Sequence, residues 1–420
     1  MTRYRAIRGM QDVFPEEAGR FRALESIVRS AAERYGYGEI RTPLVEPTEL
    51  FIRSIGESTD IVEKEMFSFT GSGEKRLSLR PEGTAGVVRA CLEHDVFNRQ
   101  SLARYYYLGS MFRRERPQAG RRRQFHQFGI EALGSLHPAV DAEVIDLLIC
   151  CLEETGLEGW TLGINSVGCS RCRPAYREKL YRYLSGRRAE LCDHCRRRLE
   201  DNPLRALDCK NPGCRTIVGE GPKPAELFCE ECESHYEAVR GLLVDLAVPF
   251  AVNPLLVRGL DYYTSVVFEA YGPGLGAQDA VAGGGRYDTL IEDLGGPSLG
   301  AAGFSIGLER LLLGVGDRVL TIPAPSPGHL YIVTASPEAF RPNFILLSRL
   351  RRRGFRAGMD YLDRSLKAQM REANKLGANH VLIRGEEEIE RGVVKLKDMK
   401  SGEEAMVRED EVANIMTKSE

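Results

Sequence analysis

Residues 107–134 read YLGSMFRRERPQAGRRRQFHQFGIEALG. Two strand-like runs, ARYYYLGSMFRRE and QFHQFGIEALG, flank the short loop RPQAGRR, which holds Pro117 and Gly120. Runs of this kind joined by such a loop predict an antiparallel hairpin. Side chains alternate across a strand, so Phe125, Gln127, Gly129 and Glu131 share one face. An aromatic, an amide and a carboxylate in a row make poor core and a good floor for a ligand. On the first strand Arg113 and Glu115 share a face. The planar donor fork of arginine suits phosphate or carboxylate.

Working outward, residues 16–35 place Leu24, Ile27, Val28, Ala31, Ala32 and Tyr35 at helical spacing. In GYGEIRTPLVEPTELF, Pro43 and Pro47 interrupt an extended run and predict an edge strand or a bend. A helix is expected over 138–155, and the strand pattern resumes in LLVRGLDYYTSVVFEAYG and AVAGGGRYD. GAAGFSIGLERLLLGVG reads as a strand running into a helix. Together these predict an α+β unit around an antiparallel sheet. Residues 317–328 form a Pro-rich linker. Beyond it LYIVTAS, FRAGMDY and HVLIRG alternate with helical patterns, which predicts a parallel α/β domain of about 95 residues.

At 420 residues the chain has room for two or three domains. With 43% hydrophobic and 28% charged residues it has an ordinary globular composition. Its N-terminus lacks an apolar core and carries acids, so no signal peptide is expected. The longest apolar stretch, 299–316, contains Glu309 and Arg310 and is no membrane span. A cytoplasmic protein with no membrane contact is expected. The net charge of −2 argues against a generic nucleic-acid binder. Arginines nevertheless cluster at 113–123, 196–205 and 349–356. Such patches either hold phosphates or form solvated helix faces.

Eight of the 11 cysteines crowd into 169–232, as CSRC (Cys169, Cys172), CDHC (Cys192, Cys195), CKNPGC (Cys209, Cys214) and CEEC (Cys229, Cys232). Eight thiolates suffice for two tetrahedral Zn²⁺ sites. Redox-active thiols are an alternative, as are disulfides, which a reducing cytosol disfavours. The spacing leaves open which cysteines share a metal. Cys91, Cys150 and Cys151 lie in apolar helical patterns and read as core thiols. The Cys-rich stretch is poor in strand signals and reads as an insertion, to which a structural metal would supply folding energy.

RGLDYYTSVVFE sets Arg258 at the start of an otherwise apolar strand, which is costly unless it faces a carboxylate or an anionic ligand. Gly283, Gly284 and Gly285 would let backbone approach a ligand, or form a bend. Arg310 lies in the first turns of a helix. No P-loop and no Ser/His or Cys/His pair stands out. Phosphate chemistry by positioning and charge stabilisation, without an enzyme nucleophile, is the reading these residues support.

RPEGTAGVVRA (80–90), the hairpin 107–134, VRGLDYYTSVVFE (257–269), AGGGRYD (282–288) and GFSIGLERLL (303–312) resemble the signature segments of the histidyl-tRNA synthetases. These are class II aminoacyl-tRNA synthetases. GYGEIRTPLVEPTELF resembles the family's dimer-interface segment, and SLKAQMREANKLGANHVLIRGEEE its anticodon-binding domain. The likeness does not extend to the cysteine pairs. It implies a class II catalytic domain over 1–165 and 236–322, a Cys-rich insertion over 166–235 and an α/β anticodon-binding domain over 329–420.

The implied activity joins L-histidine to ATP, with Mg²⁺, to give histidyl-adenylate. The histidyl group then passes to tRNA(His), releasing AMP and diphosphate, and the enzyme is a homodimer. By the same resemblance Arg113 would hold the α-phosphate and the amino-acid carboxylate. Arg258 would stabilise charge developing on that phosphate. Arg310 would clamp the γ-phosphate side and cover the adenine, with Phe125 on its other face. Glu115 and Arg121 would complete the ATP site. Glu82, Gly83, Thr84 and Gln127 would surround the substrate ammonium. Glu131, Tyr262 and Tyr263 would read the imidazole, although Glu131 could instead form a structural ion pair with an arginine. Arg116 and Gln118 would approach the tRNA acceptor end. Two other readings are a regulatory paralogue from histidine biosynthesis and an RNA-binding protein that has lost catalysis. The retained RGLDYY and ligand floor argue against both.

Overall fold

The structure, a computed structural model, describes residues 4–57, 59–273, 280–316 and 330–418. The chain divides into two compact units, Met1–Leu320 and Thr321–Glu420. The expected linker 317–328 lies outside the described residues.

The first unit opens with α1 (Pro15–Arg34), β1 (Gly38–Glu39), β2 (Val45–Pro47), α2 (Thr48–Ile55), β3 (Phe67–Thr70), β4 (Arg76–Leu79) and α3 (Thr84–Glu93). The hairpin follows as β5 (Ala103–Phe112) and β6 (Gln124–Leu133), then α4 (Pro138–Glu154) and β7 (Thr161–Ser166). The Cys-rich stretch supplies α5 (Arg173–Ser185), α6 (Asp193–Asp201), α7 (Pro212–Glu220) and the start of α8 (Glu230–Asp245). β8 (Ala251–Val252), β9 (Thr264–Tyr271), β10 (Ala280–Arg286), α9 (Leu290–Asp293), β11 (Ala301–Gly307) and α10 (Leu308–Val315) complete the unit.

Eight strands form one sheet in the order β1-β5-β6-β11-β10-β9-β7-β8. It is antiparallel except at its two edges, where β1 runs parallel to β5 and β8 to β7. Alternation along β6 divides its residues as the sequence predicts. Phe128 and Ile130 enter the main core beside Leu24 and Val28 of α1 and Val144, Ile145 and Leu148 of α4. Gln127, Gly129 and Glu131 face the other way, and Gly129 lies opposite Tyr107. A Cβ on Gly129 would stand 2.4 Å from the Tyr107 ring, so only glycine fits there. Cys91 and Cys151 are core thiols as expected, whereas Cys150 is only half-buried, beside Arg34.

Three corrections follow. A second sheet, β2-β4-β3, takes the edge strand expected around Pro43 and Pro47 as β2, but its β3 and β4 are not in the sequence reading because they are only four residues long. Arg258 is not in a strand. Pro254 and Gly259 break the run, and β9 begins only at Thr264. The irregular backbone is what lets Arg258 fold back onto Glu269, since in a straight strand residues eleven apart lie roughly 36 Å from each other.

The third correction concerns the second unit. It contains β12 (Leu330–Thr334), α11 (Phe340–Arg352), β13 (Ala357–Met359), α12 (Leu366–Lys375), β14 (His380–Arg384), α13 (Glu386–Glu390), β15 (Val393–Asp398), β16 (Glu404–Arg408) and α14 (Val412–Lys418). Its sheet order is β13-β12-β14-β15-β16. The first three strands are parallel as expected, but β14, β15 and β16 are antiparallel. Val394 and Leu396 alternate with Lys395 and Lys397, so one face joins the core while the charged face hides the strand signal. Among the described residues no helix is long and apolar enough to cross a membrane.

Candidate active site

The floor of β6 lies at the base of a cavity of about 850 Å³. Glu82, Thr84, Arg113, Glu115, Arg121, Phe125, Gln127, Arg258, Tyr262, Tyr263 and Arg310 all line it. These eleven residues come from four separate segments of sequence, so the fold brings together what the motifs scatter. Gly83 sits under the Tyr107 ring, where a Cβ would come within 2.3 Å. Arg116 and Gln118 stand apart from the cavity, exposed in the hairpin loop.

Glu131 lies just beneath the lining and is 1% exposed. Thr84 Oγ1 donates to its Oε1 at 2.7 Å, and Tyr287 Oη donates to its Oε2. Burial pushes its carboxyl up to about 8, against the pull of these two donors. Among the described residues no arginine pairs with it, so the structural ion-pair alternative is not what they build. Tyr262 packs edge-on to Tyr287 at 5.5 Å and contacts Tyr263 at 4.7 Å, closing an aromatic box around the acid. Tyr107 and Tyr287 were missed in the sequence. Tyr287 could have been found, because it lies two residues past the glycine run in AGGGRYD.

Glu82 does more than line the cavity. Its two carboxylate oxygens accept the N–H groups of Thr84 at 2.6 Å and Ala85 at 2.9 Å, which anchors the start of α3. The same side chain lines the cavity. Gln127 Oε1 is buried and has no hydrogen-bond partner among the described residues, which leaves an acceptor in the cavity lining.

Arginines form the other wall. Arg113, one residue past β5, keeps the hairpin paired through its N–H to the Arg123 carbonyl at 2.8 Å. Its guanidinium donates from Nε to the Pro81 carbonyl at 2.9 Å and lies 5.4 Å over the Phe125 ring. Arg121 donates to Glu115 at 3.0 Å. Arg258 donates to Glu269 at 2.6 Å and lies 5.8 Å from the Tyr263 ring centre. It packs flat on Gly283, where a Cβ would meet the guanidinium at 2.3 Å. That contact explains the glycine run better than a bend does. Arg310 donates to the Ala280 carbonyl.

Two ion networks brace the site. Glu309 accepts the His126 N–H at 2.9 Å and touches His126 Nδ1 at 2.9 Å, locking α10 to β6. Arg286 donates from Nε and Nη2 to Asp141 at 3.0 and 2.6 Å, and His235 reaches the same carboxylate at 3.1 Å. Both Arg286 and Asp141 are 1% exposed. Arg286 thereby fixes its neighbour Tyr287 against Glu131. No spacing rule links Asp141 to Arg286 in the sequence.

The eight thiols form two quartets, Cys169–Cys172–Cys229–Cys232 and Cys192–Cys195–Cys209–Cys214. The first pair of the sequence joins the fourth, and the second joins the third. Sγ–Sγ separations are 3.8 Å for Cys169–Cys229, 3.7 Å for Cys172–Cys232 and 3.8 Å for Cys192–Cys209. All eight cysteines are free, and a disulfide would need about 2.05 Å. A tetrahedron of Zn–S bonds of about 2.3 Å has edges of about 3.8 Å, so both quartets fit that ion.

The histidyl-tRNA synthetase family matches residues 9–311, and an anticodon binding domain matches residues 330–419. The histidine--tRNA ligase of Desulforamulus reducens is 48% identical over 400 residues, 95% of this chain and 96% of that one. That of Natranaerobius thermophilus is 45% identical over 404 residues, 96% of each chain. The crystal structure of apo S. aureus histidyl-tRNA synthetase matches with a TM-score of 0.82 at 36% identity, over 99% of this chain and 100% of that one. With a buried acid in an aromatic box, an arginine wall and relatives of this likeness along its length, the chain belongs to the histidyl-tRNA synthetase family.

Proposed function

We propose that this chain activates L-histidine with ATP to histidyl-adenylate and transfers the histidyl group to tRNA(His), releasing AMP and diphosphate. The observation that carries the reading is Glu131, a buried carboxylate held by Thr84 and Tyr287 beside a cavity walled by arginines. An imidazole N–H donor would pair it, and a side chain without that donor would leave it unpaired. Gln127 Oε1 and the Glu82 carboxylate would take the substrate ammonium, with Gly83 and Thr84 at the same corner. Tyr262 and Tyr263 would wall the imidazole. Arg113 would bridge the substrate carboxylate and the α-phosphate. Arg258 would stabilise charge on that phosphate as the carboxylate oxygen attacks in line and diphosphate departs. Glu115, Arg121, Phe125 and Arg310 would hold the nucleotide. Mg²⁺ would supply charge neutralisation on the triphosphate.

Histidine-dependent ATP–pyrophosphate exchange tests the reading. Exchange that needs histidine is expected. Its absence in folded, metal-replete protein would overturn the assignment.

The finer parts of the reading have their own supports. We assign catalytic domain 1–165 with 236–322, insertion 166–235 and anticodon domain 329–420. Arg116 and Gln118, exposed on the hairpin loop, would meet the acceptor end. The β2-β4-β3 sheet supports a homodimer. Its Ser78 and Glu46 point inward and are buried, whereas Val45 and Phe69, on the opposite face, are 39% and 47% exposed. An inverted sheet of this kind calls for a partner over its apolar face. The cytoplasm, which holds tRNA and keeps thiols reduced, is the compartment this reading requires.

Each thiol quartet is assigned a structural Zn²⁺. The insertion's own core is a small cluster around Tyr176, Leu180, Leu184, Leu199 and Val218. Metal binding would supply folding energy that so few apolar side chains cannot. Metal analysis of protein purified under reducing conditions should find about two zinc ions per chain, one for each quartet of thiolate ligands. A chelator should unfold the insertion before the sheet, seen as loss of helical signal. Protein free of zinc yet fully folded would refute the assignment.

A further inference from the structure

We propose that Lys210, on the insertion and not on the catalytic sheet, binds the polyphosphate of ATP, and that the inner thiol quartet holds it in place. The inference rests on the histidine-activation reading.

Residues 207–210 form part of the cavity wall, although they are remote in sequence from every motif that points to ATP. Lys210 shares that wall with Arg121 and Arg310 and with the acids Asp208 and Glu269, and all four are near enough to bear on its charge. Among the described residues no carboxylate lies within ion-pair distance of the Lys210 ammonium. Cations gathered in one cavity repel one another, and a polyanion between them turns that repulsion into binding. The polyanion of the proposed reaction is the triphosphate.

The backbone around Lys210 is pinned on both sides. Cys209 and Cys214 belong to one quartet, so the residue sits between two ligands of one centre. Cys209 N–H donates to the Ala206 carbonyl at 3.1 Å. Asn211 Oδ1 accepts the Cys214 N–H at 3.3 Å and caps α7, which Pro212 opens. Arg205, just upstream, donates to Asp261 of the RGLDYY loop at 2.8 Å. The quartet therefore sets where the ammonium can reach, while the ion pair with Asp261 sets how the insertion meets the cavity.

The test uses the full-length, zinc-replete protein. Lys210→Ala should raise the KM for ATP in pyrophosphate exchange about tenfold, the scale of one charge-assisted hydrogen bond. ATP affinity measured by calorimetry should fall by the same factor. The KM for histidine and kcat should stay within about twofold, and Lys210→Arg should restore most of the loss. An unchanged ATP KM and affinity would overturn the inference. So would a defect confined to tRNA charging, which would assign Lys210 to the nucleic acid. Failure of the unmutated protein to exchange at all would instead defeat the underlying reading. Cys192→Ser, outside the cavity wall, should raise the ATP KM as Lys210→Ala does. The double variant should add little to either. Full additivity would overturn the positioning role of the quartet. Should Cys192→Ser not fold, the Ala and Arg variants at 210 still decide the binding claim.

Discussion

Arg258→His should lower histidine-dependent pyrophosphate exchange by about 10²–10³-fold, the scale of losing one preorganised donor in a dry site, while histidine affinity stays within about threefold. The guanidinium is fixed before substrate arrives. Glu269 holds it at 2.6 Å, the Tyr263 ring flanks it, and Gly283 offers no side chain to displace it. Charge that develops on the α-phosphate would therefore meet a donor fork that need not reorganise. Imidazole is shorter and lacks the fork. Arg258→Lys should recover little, because the charge survives but the two-pronged geometry does not. The His variant leaves Glu269 without its permanent cation, at a stability cost of about 1–3 kcal/mol. Activity should be read at a temperature where the variant is folded by circular dichroism. Loss of histidine affinity with kcat intact would assign Arg258 to ground-state binding instead.

Glu131→Gln should cut kcat/KM for histidine by about two to four orders of magnitude, because the amide cannot supply the charged acceptor that the buried pocket is built around. Gln keeps one acceptor oxygen for Thr84 or Tyr287, and the other hydroxyl can accept from its amide N–H, so the fold should survive. In the unmutated protein the Glu131 carboxyl is raised from the usual 4.5 to about 8, so it is largely protonated at neutral pH before histidine binds. The carboxylate is the accepting form. Consequently kcat/KM for histidine should rise with pH through an apparent pKa near 8. Tyr287 donates to the charged form, so Tyr287→Phe should move that limb to higher pH. The folded state holds a proton here that the unfolded chain has already lost. The resulting stability is fully present below about 4.5 and is lost as pH rises through about 8. Glu131→Gln should flatten that part of the stability profile. A profile for histidine that is level between pH 6 and 9 would rule out this role for Glu131.

Much of this site was legible because strands carry a period of two. The row Phe125, Gln127, Gly129 and Glu131 could be placed on one face from the sequence, and the fold puts it at the cavity floor. Other features left no local trace. Arg258 looked like a strand residue because Leu255, Leu256 and Val257 precede it, yet its conformation is set by a contact with Glu269 that only the folded chain makes. The Asp141–Arg286 pair spans 145 positions, and nothing in either neighbourhood announces the other. Glu82 reads as a ligand acid in the motif, and the fold shows that it also caps a helix. The cysteine spacings announced two quartets but not their membership, since C-x-x-C pairs are interchangeable in sequence. Strands β15 and β16 were missed because Lys395 and Lys397 of β15 and Glu404 and Arg408 of β16 charge their outer face.

The nested pairing of the cysteines sets an order of events as the chain leaves the ribosome. The inner quartet spans 22 residues from Cys192 to Cys214, so its last ligand follows its first quickly. The outer quartet must wait, because Cys169 and its partner Cys229 are 60 residues apart. At roughly 5–20 residues per second that is a delay of about 3–12 s, during which Cys169 and Cys172 emerge without their partners. The inner centre can close within a chain whose outer clasp is still open. Strand β7 meanwhile waits for β9, its antiparallel neighbour, which is made after both. The insertion's thiols are thus all made before the sheet it interrupts is complete.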